Sequence, residues 1–327
     1  MALGLVFKGI IPGTAVGAIQ FDEKLHKVFR TEPAMGTTVS MTLLHQSKEE
    51  AEYAMTLAYR EIYRLSGLMN RFDDESPIAI MNREGRLTGA HPDIIEVMTH
   101  ALKYYRLTGG AFDISILPVI ELFKEKFSTG KNEYPSKKEV GRALDLVGSN
   151  KIEINGRDIR FRKPGMSVTL DGIAKGYAVD KASHVLLTHR IERHLINAGG
   201  DILGKGLRVD GKPWRVAIQD PFERKNHLEI IQLKDAAVAT SGNYENYFDR
   251  EKMYHHIIDP KTGMSPVINV SASVIAPTAM DADALATSML VMSPDDGVRF
   301  IDSLPRCESL VITRRNRLIR SAGWRHE

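Results

Sequence analysis

Cysteine is almost missing from this 327-residue chain, with Cys307 its single representative. One thiol excludes an intrachain disulfide, a thiolate zinc site and a dithiol redox motif, so any metal must be held by oxygen or nitrogen. Long apolar runs are scarce too. Residues 1–20 carry one charge, Lys8, but Pro12 and Gly13 break the stretch and no basic region precedes it. Nothing downstream approaches the roughly 18 apolar residues that span a bilayer. Neither sign of charge dominates: 44 Lys+Arg face 41 Asp+Glu for a net +3, and the basic residues are dispersed, which argues against a nucleic-acid partner. No HExxH, GxSxG or cysteine-nucleophile signature occurs, so zincin, α/β-hydrolase and cysteine-protease chemistries have no footing.

Hydrophobic residues make up 43% and charged residues 26%, an ordinary globular balance in a chain long enough to bury a large core without staples. Ala15, Val16, Gly17 and Ala18 offer a signal-peptidase site. Residues 1–27 therefore read either as an export signal, which would place the protein in the periplasm or on the extracytoplasmic membrane face, or as an unstructured leader. With no repeat and no Pro/Gly/Ser linker beyond that point, residues 28–322 read as one domain and 323–327 as a tail.

Alternation from Thr38 to Leu43 predicts a half-buried strand after the Met35-Gly36-Thr37 turn. Ser47 is placed to cap an amphipathic helix over 48–68, with Ala51, Ala54, Met55, Ala58, Ile62 and Leu65 on its apolar face. A second helix follows Pro92 and stops at Gly109-Gly110. Ile152 and Ile154, then Asn155-Gly156, then Ile159 and Phe161 spell a hairpin with a type I′ turn. Strands are expected over 167–170, 195–197, 214–219, 228–233, 253–258 and 270–275, helices over 173–187, 279–292 and 295–304, and a closing hairpin at 310–313 and 317–320. Hairpins interspersed irregularly with helices indicate an α+β fold, a single compact domain of mixed, largely antiparallel sheet with flanking helices.

Four segments carry polar groups where backbone and side chains can meet a ligand. Asp283 and Thr287 lie four apart in an Ala/Met/Leu helix that also carries Asp281, hence on one face. Two hard oxygens so stacked suit a cation such as Mg²⁺; equally, the acid can serve the helix dipole and the threonine its own i−4 carbonyl. Asp171 to Gly176 marks a strand-to-helix change, where free N–H groups and Lys175 can meet phosphate oxygens or simply face water. It is not a Walker A loop, since the Gly-Lys spacing is wrong and no Ser or Thr follows the lysine. Asn197-Ala198-Gly199-Gly200-Asp201 permits close backbone approach to a ligand or to a neighbouring strand. His255-His256-Ile257-Ile258-Asp259-Pro260 puts imidazoles at an expected strand end, as a general base or as hydrogen-bonded edge residues.

In their order these segments resemble the ApbE family of FAD:protein FMN transferases. The likeness runs from Met35-Gly36-Thr37 through Gly110-Ala111-Phe112-Asp113, Asp171 to Gly176, Asn197 to Asp201, Thr240-Ser241-Gly242, His256 to Gly263 and Ala276 to Thr287, about residues 28–322 in all. The resemblance implies Mg²⁺-dependent transfer of FMN from FAD to a Ser or Thr hydroxyl of an acceptor protein, with release of AMP. It implies that Asp283, Thr287 and the backbone carbonyl of Gly172 ligate the metal, that Lys175 faces the FAD diphosphate, and that His256 deprotonates the acceptor. Met35, Ala111, Phe112, Asp113 and Ile257 match flavin- or adenine-pocket positions, and Asp171 a nucleotide contact. The acceptor is then expected to be a membrane-associated redox protein with a Ser/Thr flavinylation motif. The same site could instead hydrolyse FAD to FMN and AMP, or bind FAD without reaction. Two departures stand out. Many members read Asp-Leu-Gly-Gly where this chain has Thr169-Leu170-Asp171-Gly172, and a family Ser is Ala79 in the segment Ser76 to Asn82. Strand alternation would keep 169 and 171 on one face.

Overall fold

Val39, Met41 and Leu43 are fully buried and the residues between them are not, as period-two alternation requires. The strand they form belongs to a chain whose computed structural model describes residues 25–128, 133–244, 247–249 and 254–327, with the backbone of 17–22. Much of the apolar 1–20 stretch lies outside the described residues. Among those described, the first third contains β1 (Gly17–Asp22), β2 (Leu25–Ala34), β3 (Thr37–His45), α1 (Lys48–Met69), α2 (Pro77–Glu84), β4 (Arg86–Leu87) and α3 (Pro92–Leu107). The middle adds α4 (Leu117–Ser128), α5 (Lys137–Leu144), β5 (Ile152–Asn155), β6 (Asp158–Phe161), α6 (Ala174–Thr188), β7 (Arg193–Ala198), β8 (Asp201–Lys205), β9 (Trp214–Gln219), β10 (His227–Leu233) and β11 (Ala236–Gly242). The chain closes with β12 (Asn269–Ala276), α7 (Ala279–Val291), α8 (Pro294–Asp302), β13 (Glu308–Thr313) and β14 (Leu318–Arg320).

Nine strands form one sheet in the order β1-β2-β3-β7-β8-β11-β12-β13-β14, and its paired neighbours are all antiparallel. Helices α1, α6 and α7 cover one face. The β9/β10 ribbon covers the other, where Trp214, Val216, Ile231 and Leu233 meet Leu44, Val238, Leu310, Ile312 and Trp324. The α+β single-domain architecture is as the sequence predicts. Helix α7 is buried almost all round, which its alanines permit: Ala237, Ala239, Ala272 and Ala276 of the sheet and Ala282, Ala284 and Ala286 of the helix belong to one core, small side chains allowing close approach.

Caps behave as expected at Ser47 and Ser293, whose side chains accept from the N–H groups of Glu50 and Asp296. Three local expectations need correction. Residues 167–170 are not a strand, because a side chain supplies the partner: Asn82 Nδ2 donates to the Val168 carbonyl at 2.9 Å and Asn82 Oδ1 accepts from the Val168 N–H at 2.8 Å. Residues 254–258 are not a strand either. Backbone pairing there is limited to one bridge, His255 with Tyr247, while the His255 N–H donates to Ser265 Oγ at 2.9 Å, and 253 lies outside the described residues. In the 152–161 hairpin the last pair is Asn155 with Asp158, so the loop is Gly156-Arg157. Of its two residues only Gly156 has positive φ, the pattern of a type II′ turn rather than I′. Helices α2, α4 and α5 are not among the expected elements, although Ser136 and Glu139 form a complete capping box at the start of α5.

The sheet also sets a pH dependence of stability. His194 on β7 is fully buried. Its Nδ1 lies 2.8 Å from the Ile191 carbonyl, to which it donates, so Nε2 accepts from Ser183 Oγ at 2.8 Å. Burial pushes its pKa down to about 4. A depressed folded-state value stabilises the protein above the ordinary value near 6.5 and withdraws that stability as pH falls toward 4. The contribution is up to about 3 kcal/mol. Urea unfolding of wild type and His194→Asn at pH 7 and pH 4.5 should show a smaller acid loss in the variant; equal losses would remove His194 from the account.

Candidate active site

Two helix N-termini meet over the sheet. Gly176 of α6 is so close to α7 that a Cβ there would sit 2.3 Å from the Ala279 carbonyl oxygen, so only glycine fits. Asp180, on the same helix, accepts from the N–H groups of Ala279 and Met280 at 2.8 and 2.9 Å, which ties the start of α7 to α6. The Gly176 N–H donates to Asp283 Oδ2 at 3.1 Å. One turn later Thr287 Oγ1 lies 3.2 Å from Ser241 Oγ of β11 and about 3.0 Å from where a Cβ on Gly172 would stand. Gly172, Lys175, Asp283 and Thr287, separated in sequence, therefore share one site. The i, i+4 pair faces this site, whereas Asp281 turns away and accepts from the Tyr104 hydroxyl.

Lys175 Nζ lies 3.2 Å from Asp201 Oδ2 and 3.8 Å from Asp283 Oδ2, and donates to the Asp171 carbonyl at 3.3 Å. Both carboxylates are 3% exposed, so one ammonium faces two buried acids. Burial, then the repulsion between them, raises the Asp201 pKa; burial also raises that of Asp283, against Lys175 and the Gly176 N–H. Burial alone would lower the Lys175 pKa, but the two carboxylates outweigh it and the net direction is upward. Asp201 is the residue that sequence reasoning left without a role. The signal was its place in the Asn197–Asp201 segment.

That segment is the β7–β8 turn, with Gly199 and Gly200 at φ of 61° and 104°. A Cβ on Gly199 would lie 2.4 Å from Thr37 Oγ1. The β2–β3 hairpin tip, with Met35 and Gly36 both at positive φ, thus packs beside the turn that delivers Asp201. Asp171 sits at the rim with its side chain 56% exposed, 3.0 Å from Arg71 Nη2. Arg71 Nε also donates to Thr169 Oγ1 and Asp171 Oδ2, each at 3.2 Å. Positions 169 and 171 do share a face, without a strand.

Phe112 lies against Gly172, its ring 3.4 Å from the position of a Cβ there. Ala111 borders a cavity of about 490 Å³, lined also by Thr108, Asp259, Lys261, Val291 and Phe300, a size usual for small-molecule sites. Asp113 does something else: its Oδ1 accepts from the Ser115 N–H and from the hydroxyls of Ser115 and Ser149, and Oδ2 from the Ser149 N–H. The carboxylate is occupied in fixing the turn that carries Ala111 and Phe112. Ile257 packs into the main core. Of the adjacent histidines, His255 is 2% exposed and its Nε2 is 3.0 Å from the Pro266 carbonyl, with burial pushing its pKa down to about 4. His256 is half-buried.

The described residues contain no group of three His, Cys, Asp or Glu side chains arranged to hold a metal. A cation here would rely on the mixed set of a carboxylate, a hydroxyl and a carbonyl. That set is made of hard oxygens, and the unbalanced pair of buried acids favours positive charge, so the residues fit Mg²⁺.

A family model described as the ApbE family matches residues 35–311. A curated FAD:protein FMN transferase of Vibrio cholerae is 31% identical over 287 residues, 85% of each chain. The solved flavin transferase ApbE of Vibrio cholerae superposes with a TM-score of 0.79 at 28% identity, over 91% of this chain and 98% of that one. The ApbE protein of Thermotoga maritima does so with a TM-score of 0.81 at 27% identity, over 91% and 97%.

Proposed function

The chain belongs to the ApbE family, and from that premise we propose that its reaction, transfer of FMN from FAD to an acceptor protein, takes place at the Lys175, Asp283 and Thr287 cluster with a Ser or Thr hydroxyl as acceptor. The observation that carries the assignment is the pair of buried carboxylates around one ammonium beside Thr287 and Gly172. Asp283, Thr287 and the Gly172 carbonyl would hold Mg²⁺. When bound, the ion supplies positive charge against the diphosphate and the departing AMP.

The chain's own groups account for the rest. Lys175 presents an ammonium, kept charged by its acidic neighbours, to the diphosphate oxygens, which lowers the repulsion an incoming oxygen meets. His256 takes the proton of the acceptor hydroxyl as that oxygen bonds to the FMN phosphorus, and the bond from phosphorus to the AMP oxygen breaks. The cavity beside Ala111 offers room for a ring system of the dinucleotide, and the neighbouring Phe112 lies against Gly172. The apolar stretch at residues 1–20 supports placing the enzyme on the extracytoplasmic face, where a membrane-associated redox protein would be its acceptor.

The test is the mass of a candidate acceptor after incubation with this protein, FAD and Mg²⁺. One added FMN, absent when Mg²⁺ is chelated, is the expected result. Rapid AMP release without any acceptor would instead identify an FAD pyrophosphatase.

A further inference from the structure

Lys175 is held between acids of two different kinds of use. Asp283 belongs to the proposed cation site, so an ammonium 3.8 Å from its Oδ2 is a competitor for the ion as well as a partner for the diphosphate. Asp201 is the nearer acid at 3.2 Å. Its side chain is 4% exposed, and the polar side chains acting on this buried carboxylate are Asp283 and Lys175. The backbone beneath Asp201 is rigid. It pairs with Ala198 across the glycine turn, the Gly200 N–H donates to Asn197 Oδ1 at 2.9 Å, and Gly199 is locked against Thr37.

Resting on the metal reading above, we propose that Asp201 is a positioning residue that draws the Lys175 ammonium off Asp283, leaving Asp283 available to Mg²⁺ while aiming the lysine at the diphosphate. The two distances support this. With both acids present Lys175 has a nearer partner than Asp283; without Asp201 the ammonium closes on Asp283, and a divalent ion must displace it from a buried pair.

The experiment titrates MgCl₂ in the presence of FAD and without acceptor, reading the thermal unfolding midpoint of the full chain, since an ion bound to the folded state alone raises it. Mg²⁺ dependence of acceptor labelling is measured in parallel. Asp201→Asn should raise the half-maximal Mg²⁺ concentration at least about tenfold in both readouts. Adding Lys175→Met to that variant should bring the thermal readout back to within about threefold of wild type, because the competitor has gone. A packing role for Asp201 predicts no such recovery. Should Asp201→Asn fail to fold, the double variant, which removes both partners of the pair, decides alone: tenfold weaker Mg²⁺ dependence there overturns the inference. A Mg²⁺-responsive wild type with an unchanged Asp201→Asn overturns the inference and spares the metal reading. A wild type indifferent to Mg²⁺ ends both.

Discussion

Asp283→Ala is expected to lower FMN labelling of acceptor by at least roughly 10³-fold and to abolish its Mg²⁺ dependence. The side chain removed accepts from the Gly176 N–H, faces Lys175 and stands one turn from Thr287. Its loss leaves Lys175 paired with Asp201 alone and deprives the cation of its carboxylate. Because Asp283 also links α7 to α6, folding must be checked by circular dichroism and a melting curve. Asp283→Asn, which keeps the shape and can still accept from Gly176, separates the two roles. It should fold like wild type and fail at transfer. Full activity with normal Mg²⁺ dependence in Asp283→Asn would remove Asp283 from the cation site.

The second large effect is at His256. His256→Ala should lose on the order of 10² to 10⁴-fold in transfer while still binding FAD, the range of a positioned general base. His255 is excluded from that task by its surroundings: it is enclosed and donates to the Pro266 carbonyl. FAD binding, followed by flavin fluorescence, should be near wild type in His256→Ala, and added imidazole should restore part of the labelling. Wild-type labelling by the variant would overturn the base assignment.

Of the two, Asp283 is a residue that local sequence geometry could nominate, whereas the base role of His256 is what the family resemblance implies. Asp283 and Thr287 are one helical turn apart, so their common face follows from helix geometry once the Ala/Met/Leu segment is read as a helix. The 48–68 helix, the Thr38–Leu43 strand and the caps at Ser47 and Ser293 are likewise statements about neighbours along the chain, and the periodicity that buries one face is written into them. The α+β class and the order of the motifs follow in the same way.

Tertiary structure decided what depends on distant partners. Asn82 replaces a strand neighbour for Val168 across 86 positions, Arg71 joins Thr169 and Asp171 across about 100, and Asp180 caps α7 from 99 residues away. None of these pairs leaves a period or a spacing in the sequence. Asp201 shows the limit most plainly. Its glycine turn announced close approach, but only the packing of Gly199 on Thr37 and of α6 on the sheet determined that the carboxylate would meet Lys175 beside Asp283. Backbone preference and burial pattern are encoded residue by residue, whereas the charge balance of a buried site exists only after several elements have closed around it.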